Sequence, residues 1–476
     1  MRHFRFTFAL ALAGATFAAQ AQGQEIRQPS SIRLADFTYN DYYAQEPPPP
    51  PIAAQPSPSD LVIPPVDSMS GCAALGCAAP GCAAPGCAAP ACGGGCGGCC
   101  PPPLFTFSGW LNGGYTYNAW EPQSRYNGTL SFNDRDDEFQ MNQAYFVLER
   151  QTDTSENLFD IGGRMDFIYG TDSRFTQAAG LELDQNGTGG LNAGQRFYQL
   201  AFPQFYADLA VNDLTIRIGH WYTIIGYEVV TAPDNFFYSH AYTMQYGEPF
   251  THTGALTMYQ LADNITLYNG IHYGWDIFNV SNLAPAFTNR GSYIGGASWS
   301  GLDDLVSFTS TMSIGNENNG GSGAYQQRTI FSNVASLNLT DNLQWVGQCD
   351  IGRQIGGSQT TAGLDAEWYG INQYLFYTLS DAWQVGGRME WFRDDDGARV
   401  AAVGNANPAT GPFAGDFFEI TMGANWRPFS NLVVRPEMRW DWFDPNAGIG
   451  SPFNDAGGVG RNNSQFTAAI DGIVTW

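Results

Sequence analysis

The chain is predicted to be an all-β protein: a transmembrane, antiparallel, up-and-down β-barrel of about 16 strands, with about 14 or 18 as alternatives. Three observations predict it. A polar turn followed by a run alternating apolar and polar side chains recurs along the chain. The connections between runs alternate between short and long. The N-terminus reads as an export signal, and the chain closes on an aromatic residue, Trp476.

The repeated unit is plain at Val211-Asn-Asp213 before Leu214–His220, at Ala262-Asp-Asn264 before Ile265–Tyr273, and at Thr340-Asp-Asn342 before Leu343–Cys349. It returns at Ser380-Asp381 before Trp383–Trp391, and at Ser430-Asn431 before Leu432–Trp442. Successive residues of a strand point to opposite faces, so each run offers one apolar and one polar face. The first run places Phe105, Phe107, Leu111, Tyr115 and Tyr117 on one face, opposite Thr106, Ser108, Asn112, Thr116 and Asn118. In the last run Val474, Ile470 and Phe466 lie two, six and ten positions before Trp476, the pattern of a barrel-closing strand. The barrel-assembly machinery is the expected partner of that strand.

Short turns fall near 152–157, 212, 263, 302–304, 341, 381 and 431. Longer connections fall near 121–137, 170–195, 223–250, 277–290, 316–326, 354–363, 395–415 and 444–461. Short periplasmic turns and long outer loops are the asymmetry of outer-membrane barrels. A soluble propeller or jelly roll would explain the alternation, but not these connections together with the export signal. The run 364–379 is irregular, which leaves the strand number open.

Composition fits a barrel. Aromatics make up 14% and Gly 56 residues, while charged residues are 14% where soluble domains carry roughly 25%. No apolar run outside the N-terminus reaches the ~18 residues of a membrane helix. All 21 basic residues are Arg, and the formal charge of −24 argues against nucleic acid.

Three segments follow from this. Residues 1–21 read as a signal peptide, with Arg2 and Arg5 before an apolar stretch and Ala19-Gln-Ala21 as the cleavage motif. Their removal takes the formal charge from −24 to −26. Residues 22–103 read as a disordered Pro-rich and Cys/Gly/Ala-rich linker holding eight of the nine Cys, from Cys72 to Cys100. A periplasmic tether with disulfides, metal binding by Cys96, Cys99 and Cys100, and low-complexity drift stay open for it. Residues 104–476 form the barrel, in the cell outer membrane after export, and Cys349 falls on the apolar face of its strand.

Function then rests on the lumen. Inward positions include Asp160, Arg164, Asp166, Thr215, Arg217, Arg388, Glu390, Arg435, Glu437, Arg439 and Asp441. An Arg on the lipid face at mid-depth would cost roughly 2–4 kcal/mol, which enforces this assignment. Such mixed charges also knit a wall by cross-strand pairs. The connection 223–250 is too apolar and aromatic to lie in solvent, and loops of this length are usually functional. Folded inward, its Glu228, Asp234 and Glu248 would face Arg164 and Arg217 across a constriction, a transverse field that sorts solutes by charge. The rival is an outer cap. Arg388, Arg435 and Arg439 complete the constriction candidates.

An enzyme is not expected. His220, His240, His252 and His272 lack a matching nucleophile motif, and His252 reads as structural. Metal-ligand spacing and phosphate-binding loops are missing, so no cofactor is expected.

Thr223-Ile-Ile-Gly-Tyr-Glu228, Asn235-Phe-Phe-Tyr-Ser-His-Ala-Tyr242 and Gly247-Glu-Pro-Phe-Thr-His-Thr-Gly254 resemble the central signature of the OmpL-like β-barrel porin family, second type. The resemblance covers about 105–476 and implies a porin fold with passive diffusion of small hydrophilic solutes, without naming a solute or a pore residue. The alternative function is a structural or adhesive barrel cross-linked through its Cys-rich segment. Ion selectivity is divided: the acidic balance favours cations, whereas Arg164, Arg217 and Arg439 oppose it. Lipid is the surrounding partner, and a homotrimer is open beside a monomer.

Overall fold

The computed structural model describes residues 104–155, 157–183, 197–278, 291–302, 305–318, 325–400 and 411–476. The expected signal peptide and Cys-rich linker lie outside these residues. Sixteen antiparallel strands form one closed wall. They are β1 (Thr106–Asn118), β2 (Glu138–Arg150), β3 (Phe159–Gly170) and β4, which is split into Gln199–Ala201 and Phe205–Val211. Next come β5 (Leu214–Tyr222), β6 (Thr251–Ala262), β7 (Ile265–His272) and β8 (Ser292–Gly301). Then follow β9 (Val306–Asn318), β10 (Tyr325–Thr340), β11 (Leu343–Gln354) and β12 (Ala366–Ser380). The last four are β13 (Trp383–Asp394), β14 (Gly415–Phe429), β15 (Leu432–Pro445) and β16 (Ser464–Thr475).

Each strand pairs with its sequence neighbour, and β16 closes on β1 with Trp110 opposite Thr475 and Asn118 opposite Thr467. Trp476 extends the seam, its N–H donating to the Gly109 carbonyl at 3.0 Å. Closure leaves no unpaired sheet edge in the hydrocarbon, where an unsatisfied peptide group costs several kcal/mol. The seven short and eight long connections fall where the polar turns placed them, and the irregular run 364–379 is β12.

The alternation sets the faces. Leu111, Tyr115, Met438, Trp440 and Ile470 are exposed outward, while Trp110, Arg439, Asp441 and Asp471 on the same strands are buried inward. Exposed aromatics form two belts: Tyr115, Phe139, Tyr169 and Tyr293 toward the long loops, and Phe107, Trp299, Tyr377, Trp383 and Trp426 toward the short turns. Cys349 is exposed on the outer face, as its register requires. No helix among the described residues is long and apolar enough to cross a membrane.

Candidate functional site

The connection 223–250 runs from β5 into the barrel before returning to β6. Inside a barrel such a segment has no ladder to satisfy its peptide groups, and buried N–H and C=O groups must find partners. The charged wall supplies them. Glu437 of β15 accepts the N–H groups of Tyr238 at 2.9 Å and Ser239 at 3.2 Å. Glu390 of β13 accepts those of Tyr242 and Thr243, each at 2.6 Å, and the Thr243 hydroxyl at 2.7 Å. Arg435 donates to the carbonyls of Ala232 and Asn235 at 2.9 and 2.6 Å, Arg439 to that of His240 at 2.6 Å, and Arg388 to that of Ser239 at 2.8 Å.

Each of these guanidiniums also keeps a carboxylate in the wall. Arg435 pairs with Asp471 at 2.5 Å, Arg439 with Asp441 at 2.7 Å and Arg388 with Glu419 at 2.5 Å. The planar fork of Arg allows this division of donors, which a Lys ammonium would not reproduce. Glycine makes room for the loop: a Cβ at Gly114 of β1 would lie 2.6 Å from the Tyr238 ring.

The loop acids meet different surroundings. Glu228 is buried and accepts from Arg388 at 2.7 Å, the Tyr374 hydroxyl at 3.0 Å and the Ala241 N–H at 2.8 Å, with His240 Nδ1 at 3.2 Å. Burial pushes its carboxyl up, but Arg388 and His240 outweigh that and hold it well below the usual carboxylate range. Glu248 accepts from Gln348 at 2.5 Å, and burial beside Asp350 raises it well above that range. It is a hydrogen-bonding acid pressed to the wall. Asp234 is only partly covered and accepts from the Thr231 hydroxyl at 2.5 Å; burial pushes it up to about 6, against the opposing pull of Thr231 and Arg164.

These placements correct one expectation. The sequence reading sets Arg164 and Arg217 against Glu228, Asp234 and Glu248, yet Arg164 pairs with Asp166 at 2.6 Å and Arg217 with Asp208 at 2.9 Å. Glu228 instead meets Arg388. Asp234 lies within electrostatic reach of Arg164. The physical reason is proximity along the wall: Arg217 and Asp208 are direct partners in the β4–β5 register. His252 is buried between the Thr223 hydroxyl at 3.0 Å and His272 at 3.1 Å, which is a structural setting. Among the described residues no group of three or more His, Cys, Asp or Glu is placed to hold a metal.

The loop packs inside the barrel. Toward the long loops its Tyr242 and Tyr246 join Trp275, Trp368, Phe417, Phe443 and Phe453 in one buried apolar cluster. Gln245 ties it to the β1–β2 connection by accepting from the Ser131 N–H and hydroxyl at 2.7 and 2.6 Å. Toward the short turns, inward Thr215, Gln260, Ser298, Thr309, Ser336 and Gln384 stay partly exposed beneath it. The sequence marks Glu390 and Glu437 as inward, but their role as acceptors for the loop backbone has no sequence signal.

A closed, 16-stranded, loop-filled outer-membrane barrel is a porin-type architecture. Residues 104–475 match the family described as "Putative beta-barrel porin-2, OmpL-like", and the chain belongs to that family. No curated protein matches the sequence. Among solved structures, the outer membrane channel DcaP of Acinetobacter baumannii is similar at 10% identity and a TM-score of 0.52, covering 78% of this chain and 97% of its own. OmpT of Vibrio cholerae gives 11% identity and 0.49, covering 78% and 97%. An anion-selective porin from Comamonas acidovorans gives 10% and 0.49, covering 78% and 99%. The likeness to DcaP shows the fold.

Proposed function

We propose that this porin-family barrel passes small hydrophilic solutes by passive diffusion across the outer membrane, and that residues 223–250 border the narrowest section. The observation that carries the reading is the set of wall contacts to the loop backbone, made by Arg388, Arg435, Arg439, Glu390 and Glu437 at mid-barrel. A barrel of 16–18 strands leaves an aqueous channel unless something fills it, and here the loop does the filling. The partly exposed Ser, Thr and Gln side chains below it, with the Arg217–Asp208 ion pair, give a polar surface of balanced charge suited to solutes that carry hydroxyls. Planar-bilayer conductance of the refolded chain tests the reading. A protein that is folded yet silent would remove it.

Asp234 is the loop acid left as a titrating charge. Its proton affinity is raised to about 6, so it is ionised at pH 7 and loses its charge as pH falls through that value. Acidification from pH 7 to pH 5 is therefore expected to move the reversal potential in a KCl gradient by several millivolts toward less cation preference. Asp234→Asn should shrink this step; a step of equal size in the variant would assign it to another group.

The outer wall supports a homotrimer. Thr257, Asn269, Ser310, Asn333 and Gln373 of β6, β7, β9, β10 and β12 occupy outward positions, where lipid offers polar groups no partners. They bond within the wall, as Ser310 does with Asn333 at 2.8 Å, Thr257 with the Asn269 carbonyl at 2.9 Å and Gln373 with Trp345 at 3.0 Å, and a neighbouring copy would shield this polar stripe from lipid. Asn333→Leu is expected to lower the yield of cross-linked trimer in detergent while leaving the barrel folded. Unchanged cross-linking would place the contact elsewhere. Recognition of β16 by the barrel-assembly machinery belongs to the same proposal, supported by the half-exposed Trp476 at the seam.

A further inference from the structure

The inward arginines Arg164, Arg217, Arg388, Arg435 and Arg439 are each ion-paired with a carboxylate. Arg328 of β10 and Arg399 of the β13–β14 connection depart from this pattern. They sit inside the barrel toward the long loops, and neither makes an ion pair among the described residues. Both guanidiniums lie against one indole, Trp275, at 4.7 and 5.2 Å from the ring centre, and Arg399 lies 5.1 Å from that of Trp368. Their hydrogen bonds go to neutral acceptors. Arg328 donates twice to the amide oxygen of Gln354, at 3.0 and 2.8 Å, and Arg399 to the Tyr246 carbonyl at 2.6 Å.

The nearby carboxylates act on these arginines across space but spend their hydrogen bonds on backbone N–H groups. Asp276 accepts the N–H groups of Phe250 and Thr251, Glu317 that of Trp275, and Asp394 those of Ala398, Arg399 and Val400. The adjoining stretches 319–324 and 401–410 contain no Asp or Glu in their sequence, so they supply no counter-charge. Gln354 occupies the position where a carboxylate would complete a bidentate pair with Arg328, and its Nε2 is buried without an acceptor among the described residues. Burial, together with the Arg328 charge, pushes Arg399 down to about 9, and Asp394, Asp276 and Glu317 pull it only part of the way back.

Two partly buried cations and an unsatisfied amide donor converge where an anion would relieve all three. We propose that Arg328, Arg399 and Gln354, with Trp275 as the apolar wall, form a binding site for the carboxylate of a small solute at the outer mouth of the barrel. The site rests on the reading of the barrel as a solute channel. It gives an acidic chain a local preference for carboxylates, because charge within a Debye length of about 8–10 Å outweighs distant loops. Cation–π contact with Trp275 holds the guanidiniums in place before the anion arrives.

Isothermal titration of the full chain, refolded in detergent at low ionic strength, tests this with benzoate against its neutral analogue benzamide. Benzoate is expected to bind at least about tenfold more tightly, with affinity falling as NaCl is added. Gln354→Glu installs the missing counter-charge in a residue of the same shape and is expected to weaken benzoate by about tenfold or more. Arg328→Gln serves as the second variant if the first fails to fold. Equal binding of the two probes, or benzoate affinity unchanged in a folded variant, overturns the site. Bilayer conductance in KCl is read separately. Conductance without benzoate binding sinks this inference alone, and benzoate binding without conductance sinks the channel reading alone.

Discussion

Replacing residues 227–246 by a short Gly/Ser segment is expected to raise single-channel conductance by about twofold or more, since an unfilled barrel of this strand number is an open channel. The barrel should survive the change. Arg388, Arg435 and Arg439 keep Glu419, Asp471 and Asp441 as partners within the wall when the loop backbone is gone. Glu390 and Glu437 lose the N–H groups they accept but gain water in the widened lumen. The loss falls on the aromatic packing that the loop shares with the wall, such as Phe237 against Tyr374 and Phe376. Stability therefore drops while the closed sheet stays intact, read as a lower unfolding temperature with retained β-sheet circular dichroism. An unchanged conductance in a folded variant would place the narrowest section away from this loop.

The same contacts show how far the amino-acid order carries. Period-two alternation gives each residue a face, so the inward direction of Arg388, Arg435 and Arg439 is legible in the sequence. The polar turns at Asn212, Asp263, Asp341 and Asp381 mark where strands reverse. Alternation says nothing of height or of position around the barrel. Glu228 and Arg388 lie 160 residues apart in sequence, and only the combined registers of the wall with the path of the loop bring them to 2.7 Å. The expected confrontation with Arg217 fails for the same reason: its partner Asp208 lies across the short β4–β5 turn, nearer than any loop residue. Gln354 reads in sequence as the start of a loop. Its significance comes from Arg328 beside it and from carboxylates whose hydrogen bonds go to backbone N–H groups, both of which are tertiary facts.

Arg388→Met is expected to cost about 3–5 kcal/mol of stability, because removing one member of a buried ion cluster leaves the others uncompensated. Arg388 pairs with both Glu228 of the loop and Glu419 of the wall, and all three side chains are buried. Methionine fills a similar volume, so the loss reports charge and hydrogen bonding more than a cavity. The loop also loses the donors that reach the Ser239 carbonyl and hydroxyl at 2.8 and 3.1 Å. Conductance should then rise and become noisier, though by less than on removing the segment, because Arg435, Arg439, Glu390 and Glu437 still hold the backbone. Adding Glu228→Gln to Arg388→Met should recover part of the loss, since one stranded carboxylate is neutralised. The double-mutant cycle isolates that coupling. Additive losses from the two substitutions would mean that the charges of Glu228 and Arg388 do not support one another, and the loop would then be held by its aromatic packing.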